Sequence, residues 1–146
     1  MVDVVTEIEI ARPRDEVAAY VLDQDNAPQW YANIASVRWE TPPPIAVGAR
    51  FAFVARFMGR TLDYTYEVRE LVPDERLVMS TPDGPFEMQT TYAWADAPSG
   101  ATRMTLRNSG DPERMGKLSA KVIARAMRRA NRKDLRRLKA LLERRV

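Results

Sequence analysis

Apolar and polar positions alternate over the first ten residues, MVDVVTEIEI. Val4, Thr6, Ile8 and Ile10 fall on one side of the chain, and the acidic side chains fall on the other. A period of two residues is typical of a strand that is buried on one face only. The pattern therefore predicts a half-buried β-strand over residues 2–10.

Two short helices are predicted after this strand. In ARPRDEVAAYVLD, Pro13 suits a first helical position and two acidic residues suit the first turn, which predicts a helix over residues 13–22. A second helix is expected to begin near Ala27, with Asp25 or Asn26 as its cap. Its anchoring side chains are expected to be Trp30, Tyr31 and Ile34.

Six alternating segments follow between residues 35 and 108. Sequences rich in Pro, Gly and Asp separate them, including Gly59-Arg60 and Pro82-Asp83-Gly84-Pro85. Strands joined by such short turns pair as antiparallel neighbours. One side of this predicted sheet is polar and the other is rich in aromatic residues, so we expect a cover on one side only.

The last segment, residues 112–145, predicts a long amphipathic helix as that cover. At 100° per residue its apolar stripe is formed by Ser119, Val122, Ile123, Ala126, Met127, Ala130, Leu138 and Leu141. The opposite side is basic and carries Arg114, Lys117, Lys121, Arg125, Arg128, Arg132, Arg136 and Lys139. The fold class expected from the whole pattern is α+β.

The amino-acid composition restricts the possible chemistry of the protein more than it restricts the fold. The chain has 146 residues, which suggests one domain over residues 1–146. It contains no cysteine and no histidine, which excludes thiolate chemistry, the commonest general base and zinc sites built on these residues. No metal and no cofactor is therefore expected. No stretch of 18 apolar residues and no signal-peptide pattern is present, so the expected location is cytoplasmic.

Charge is distributed unevenly along the chain. Residues 1–112 hold 10 basic and 17 acidic side chains, a net charge of −7, whereas residues 113–146 hold 13 basic and 3 acidic side chains, a net charge of +10. The preferred interpretation of the basic side is the solvated outer face of a helix that closes the core. The alternative is a surface for an anionic membrane or a partner protein. No nucleic-acid partner is expected, because the rest of the chain is acidic and residues 113–146 contain no aromatic side chain for stacking on bases.

Several motifs in a fixed order carry a resemblance. They are IEIARPRDEVAAYVLDQDNAPQW, VGARFAF, YEVREL, GATRMTL and DLRRLKALLE. Together with the order of predicted elements, they resemble the START-like (SRPBCC, Bet v 1-like) superfamily, in particular its polyketide cyclase/dehydrase and lipid-transport branch. The resemblance implies a helix-grip fold, in which a curved antiparallel sheet of about seven strands wraps a long C-terminal helix. It also implies an elongated apolar cavity for sterols, lipids, polyketides or hormones.

The inward positions of the strands are the candidate lining of such a cavity. Buried tyrosine hydroxyls need hydrogen-bond partners, and large side chains that face small ones leave space, so a mostly apolar cavity of roughly several hundred Å³ is expected. A filled core is the alternative interpretation of the same residues. The candidate ligand-binding residues on the strands are Phe51, Phe53, Phe57, Tyr64, Tyr66, Met88, Thr90, Tyr92, Trp94, Met104 and Asn108, with Phe86 as a further inward aromatic. Those on the helix are Met115, Ser119, Val122, Ile123 and Ala126, and Trp30 is the candidate gate.

Three functions are consistent with these residues. The first is binding or carriage of a small hydrophobic molecule, such as a lipid, a polyketide or an aromatic metabolite. The second is a cyclase or aromatase activity in which tyrosines stabilise enolates, although the sequence offers no clear acid–base pair and no catalytic residue is assigned. The third is docking through the basic helix face. Homodimer formation is compatible with all three.

Overall fold

The structure, a computed structural model, describes residues 2–82, 88–111 and 119–144. The described residues form one antiparallel sheet of seven strands in the spatial order β1-β7-β6-β5-β4-β3-β2. The strands are β1 (Val2–Ile10), β2 (Ile34–Trp39), β3 (Arg50–Phe57), β4 (Arg60–Val72), β5 (Arg76–Ser80), β6 (Met88–Asp96) and β7 (Thr102–Gly110). The helices are α1 (Arg14–Leu22), α2 (Ala27–Trp30) and α3 (Ala120–Glu143), with short 3₁₀ turns at Gln24–Asn26 and Pro98–Gly100.

Alternation along the strands determines which side chains are buried. In β1, Val2, Val4 and Thr6 are buried while Asp3, Val5 and Glu7 are exposed, as the period of two predicts. β7 follows the same rule and buries Thr102, Met104, Leu106 and Asn108. These residues face the side of the sheet that α3 covers, where Met104 and Leu106 join the main hydrophobic core.

The turn between β3 and β4 is one residue earlier than predicted. Met58 and Gly59 both have positive φ angles, 52° and 77°, and β4 begins at Arg60. A two-residue hairpin turn of this kind requires positive φ at both central positions, which glycine adopts without strain. Gly59 therefore helps to set the register in which Phe53 lies opposite Tyr64.

The N-terminal helices are close to their predicted positions, but their caps differ. Asn26 stands directly before α2, yet its side-chain amide donates to the backbone oxygen of Tyr20 rather than capping the helix. Asp23 caps the preceding 3₁₀ turn instead, because its carboxylate accepts a hydrogen bond from the backbone N–H of Asp25.

Helix α3 begins at Ala120, and the predicted residues 112–118 lie outside the described residues. Ser119 is its N-cap, since its hydroxyl accepts a hydrogen bond from the backbone N–H of Val122 at 3.3 Å. The C-terminal end is attached to β1 and the residues after it: Arg12 Nε donates to the Leu142 oxygen at 2.9 Å, and Lys139 Nζ donates to the Glu9 oxygen at 2.9 Å.

The buried stripe of α3 differs from the predicted one. Its buried residues are Ile123, Asn131, Asp134, Leu135, Leu138 and Leu142. Relative to the predicted stripe this surface is rotated by roughly 80° about the helix axis. The difference arises because the buried surface includes two polar residues, which carry no weight in a pattern based on apolar side chains.

Candidate ligand-binding site

A cavity of about 80 Å³ lies between the sheet and α3. Side chains from all strands from β2 to β7 line it, together with residues of the first 3₁₀ turn, α2, the following loop and α3. Its wall is formed by Gln24, Ala27, Tyr31, Asn33, Ile34, Phe53, Ala55, Phe57, Leu62, Tyr64, Tyr66, Met79, Met88, Thr90, Tyr92, Asn108, Met127, Ala130 and Asn131. Most of this wall is apolar, and five of its polar side chains are hydrogen-bonded to one another and form its polar end: Tyr31, Tyr66, Thr90, Asn108 and Asn131.

Eight of the candidate residues from the sequence line this cavity. They are Phe53, Phe57, Tyr64, Tyr66, Met88, Thr90, Tyr92 and Asn108. All eight lie on strands, where the choice between two faces follows directly from alternation.

Other candidates on the sheet are buried without lining the cavity. Phe51, Trp94 and Met104 belong to the main hydrophobic core. Trp30, the candidate gate, does not line the cavity. It is 1% exposed and packs edge-to-face against Tyr31 and Tyr92, which fits the anchoring role that the sequence also suggests for it.

The helix candidates lie elsewhere because of the rotation of α3. Ser119 caps the helix, Val122 is 46% exposed, and Ile123 packs in a second core cluster with Val2 and Val4. Ala126 is half-buried but does not line the cavity. Met115 and Phe86 lie outside the described residues.

Asn131 lines the cavity although the apolar pattern of α3 does not predict it. The sequence does contain a pattern that places Asn131 on an inward face. Successive residues of the set Met127, Asn131, Asp134 and Leu138 are spaced by four, three and four, which is the spacing of one helix face. Met79 also lines the cavity without being a candidate from the sequence, and Met127 is predicted only as part of the apolar stripe of α3. These larger side chains occupy space that was expected to be open, so the cavity is smaller than the several hundred Å³ expected.

A chain of hydrogen bonds crosses the wall of the cavity from the sheet to α3. The Tyr66 hydroxyl is 2.7 Å from Thr90 Oγ1, and Thr90 Oγ1 donates to Asn108 Oδ1 at 2.8 Å. Asn108 Nδ2 donates to the Tyr31 hydroxyl at 3.4 Å, and that hydroxyl donates to Asn131 Oδ1 at 3.2 Å. Asn131 is 1% exposed, and its Nδ2 has no hydrogen-bond partner among the described residues.

The buried tyrosines of this site are neutral hydrogen-bond donors. Burial raises the pKa of Tyr66 to about 12, although its hydrogen bond with Thr90 acts in the opposite direction. Burial likewise raises the pKa values of Tyr31, Tyr64 and Tyr92 well above that of a solvated phenol. None of these phenols can act as a general base near neutral pH, because each would have to ionise first.

Asp134 lies one turn of α3 beyond Asn131 and is 1% exposed. Its Oδ1 accepts a hydrogen bond from the backbone N–H of Ala32 at 3.1 Å, which ties α3 to the loop after α2. Its Oδ2 has no partner among the described residues. Burial raises the pKa of this carboxyl to about 6, and the bond from Ala32 and the charges of Arg137 and Lys133 oppose that rise.

Two kinds of feature are absent from the described residues. They contain no group of three or more acidic, cysteine or histidine residues that could hold a metal ion. No described helix is both long and apolar enough to cross a membrane. A mostly apolar wall with a few polar side chains is the usual composition of a small-molecule site.

A curved seven-stranded antiparallel sheet around a C-terminal helix, with short helices after the first strand, is the helix-grip fold. The family model described as polyketide cyclase / dehydrase and lipid transport matches residues 1–143, and the chain belongs to this family. A search of curated proteins finds no match.

Solved structures share the same fold at low sequence identity. The protein TTHA0849 from Thermus thermophilus superposes with a TM-score of 0.79 at 20% identity and covers 94% of both chains. A START superfamily protein from Mycobacterium smegmatis gives 0.80 at 11% identity and covers 97% of both chains. The ZhuI aromatase/cyclase from Streptomyces sp. R1128 gives 0.79 at 14% identity, covering 97% of this chain and 93% of that one. At these identities the likeness concerns the fold alone.

Proposed function

We propose that the protein binds and carries a small hydrophobic molecule in the cavity between the sheet and α3. The supporting observation is a mostly apolar cavity with a hydrogen-bonded group of polar side chains in its wall. An apolar molecule is held by removal of its surface from water, at roughly 25 cal/mol per Å², and the polar end orients it. Membership of a polyketide cyclase/dehydrase and lipid-transport family supports a ligand of this class.

The small volume of the cavity favours a compact ligand or one that displaces side chains of the wall. Met79, Met88 and Met127 contribute to the wall, and methionine side chains repack more easily than branched or aromatic ones. A lipid chain, a polyketide or an aromatic metabolite could enter by displacing these side chains.

The proposal includes a cytoplasmic location and a single domain over residues 1–146.

The test uses purified protein and one substitution inside the cavity. Native mass spectrometry after purification from the source organism is expected to reveal a co-purified small molecule, which identifies the ligand class. Ala130→Leu places a larger side chain on the wall and is expected to abolish retention of that molecule, while leaving the fold intact. Ala140→Leu makes the same change on the exposed side of α3 and is expected to retain it. Equal retention by both variants would exclude this cavity as the binding site.

A cyclase activity is the second candidate, and Asp134 is the observation that favours it. A buried carboxyl with a pKa near 6 is suited to accepting a proton at neutral pH, and the tyrosine hydroxyls could donate to an enolate. Asp134 does not itself line the cavity, so a ligand would have to reach it past Asn131. Loss of product formation in Asp134→Asn, with unchanged ligand affinity, would support this activity over simple carriage.

A further inference from the structure

The hydrogen-bond chain at the polar end of the cavity runs in one direction. Among the described residues the Tyr66 hydroxyl has Thr90 as its hydrogen-bond partner. If Thr90 donated to Tyr66, the phenolic proton would be buried without an acceptor, which is costly. Tyr66 therefore donates to Thr90, and Thr90 uses its own proton to donate to Asn108 Oδ1.

This direction fixes the orientation of both amides that follow. Because Asn108 Oδ1 accepts from Thr90, its Nδ2 faces Tyr31 and donates to that hydroxyl. Tyr31 then has its proton available for Asn131 Oδ1. The remaining group of Asn131 is Nδ2, so the chain ends on helix α3 with an N–H donor rather than an acceptor.

Asn131, the last residue of this hydrogen-bond chain, is part of the wall of the cavity. Asn131 lines the cavity and is 1% exposed, and its Nδ2 has no acceptor among the described residues. Buried polar groups in proteins are almost always paired, so an N–H donor at this place matches an acceptor that arrives with the ligand. A neutral acceptor suits the site, since burial disfavours a charge on the ligand.

We propose that the ligand carries an uncharged oxygen acceptor, such as a ketone carbonyl, that binds to Asn131 Nδ2. This inference rests on the proposed function and adds the chemical group that orients the ligand. The hydrocarbon part occupies the side lined by Phe53, Phe57, Leu62 and the methionines. A ligand of the same shape that lacks the oxygen would leave Asn131 Nδ2 without an acceptor, so the site disfavours it.

The test compares two one-ring probes that differ at a single atom. Acetophenone has a carbonyl oxygen where α-methylstyrene has a methylene group, so the two molecules have nearly the same shape. A wholly apolar cavity prefers α-methylstyrene, because burying a carbonyl without a hydrogen bond is unfavourable. We expect the wild-type protein to bind acetophenone about tenfold more tightly in isothermal titration calorimetry. We also expect the side-chain amide resonance of Asn131 to shift with acetophenone and not with α-methylstyrene.

Three variants assign the preference to Asn131. Asn131→Leu removes the donor and is expected to reverse the preference. Asn131→Asp keeps an oxygen acceptor for Tyr31 and removes the N–H donor. It is expected to abolish the preference for acetophenone, and it provides the test if Asn131→Leu does not fold. Gln89→Leu changes an amide on the exposed face of β6, away from the cavity wall, and is expected to retain the wild-type preference.

The outcomes separate this inference from the proposed function. Equal binding of both probes, or tighter binding of α-methylstyrene by the wild-type protein, overturns the inference and leaves the cavity as a hydrophobic site. Retention of the acetophenone preference in Asn131→Asp, at a pH where the introduced carboxyl is ionised and cannot donate, also overturns it. Failure of both probes to bind contradicts the proposed function itself, and the inference with it.

Discussion

At the scale of single residues, Thr90 connects the sheet to the polar end of the cavity. Its hydroxyl accepts from Tyr66 and donates to Asn108, so Thr90→Val removes two buried hydrogen bonds with almost no change of shape. We expect a loss of about 2 kcal/mol in the free energy of unfolding, because the Tyr66 hydroxyl and Asn108 Oδ1 are then left unpaired. Urea denaturation measures this loss.

A double-mutant cycle checks that the lost stability comes from the hydrogen bonds of Thr90. Tyr66→Phe removes the group that Thr90→Val leaves unpaired, so the double variant is expected to be more stable than the sum of the single effects predicts, by about 1 kcal/mol. Thr91→Val lies on the opposite face of β6 and serves as the control. Strict additivity would mean that Tyr66 and Thr90 do not form the bond described.

Asp134 makes stability depend on pH in a defined direction. Burial raises the pKa of this carboxyl from 3.8 to about 6, so the folded protein holds the proton more tightly than the unfolded chain does. Between pH 4 and pH 6 the unfolded state loses its proton first, and the free energy of unfolding therefore falls as pH rises, by at most about 3 kcal/mol. Above pH 6 this contribution is constant.

The variant Asp134→Asn is expected to remove this decline. The amide oxygen can still accept from the Ala32 N–H, and it cannot ionise. We expect the variant to match the wild-type protein near pH 4 and to exceed its stability at pH 7, measured by urea denaturation across this range. Asp63→Asn, at an exposed position of β4, controls for the change of a carboxylate to an amide. Parallel pH profiles for Asp134→Asn and wild type would contradict the assignment.

At the scale of elements, the outer cations of α3 repel one another. These are Lys121, Arg125, Arg128, Arg129, Arg132, Lys133, Arg136 and Arg137, and none forms an ion pair with an acidic side chain of the described residues. Several are spaced by four residues, where like charges destabilise a helix by a few tenths of a kcal/mol per pair. The helix is held by its buried stripe and by the contacts of its C-terminal end with β1 and Arg12.

Arg129→Glu tests this repulsion. The new carboxylate stands four residues from both Arg125 and Lys133, so two repulsive pairs become attractive. We expect an increase of about 0.5–1 kcal/mol in the free energy of unfolding at low salt, and a smaller increase in about 1 M NaCl. Arg103→Glu makes the same charge change on β7, where the neighbour in register is Glu9, and is expected to destabilise. A gain that does not depend on salt would point to a cause other than charge.

The sheet and the helix also differ in how well the sequence predicts them. A strand offers two faces, so alternation alone placed Phe53, Tyr64 and Thr90 on the wall of the cavity. A helix offers a continuous range of rotations, and the apolar pattern of α3 favours Ala126 and Val122 over Asn131. The polar residues that orient α3 are buried because partners on other elements, Tyr31 and Ala32, satisfy them. A pattern within one element does not contain that information.

At the scale of the whole molecule, one segment carries the excess positive charge and the remainder is acidic. The outer cations of α3 extend over about 24 Å of helix, long enough to contact several phosphates of duplex DNA. The acidic remainder of the chain opposes that contact, and residues 113–146 contain no aromatic side chain for stacking on bases. Attraction to DNA would therefore be purely electrostatic and not sequence-specific.

Such binding is expected to disappear at physiological salt. The affinity of a protein that neutralises six or more phosphates falls by about a thousandfold or more between roughly 50 and 200 mM salt. We expect a fluorescently labelled duplex to be retained weakly at about 50 mM NaCl and not at about 150 mM, with Arg129→Glu weakening the low-salt binding further. Retention at the higher salt with a steep salt dependence would make α3 a nucleic-acid surface. Loss of binding at that salt would exclude a nucleic-acid role for the basic side of α3.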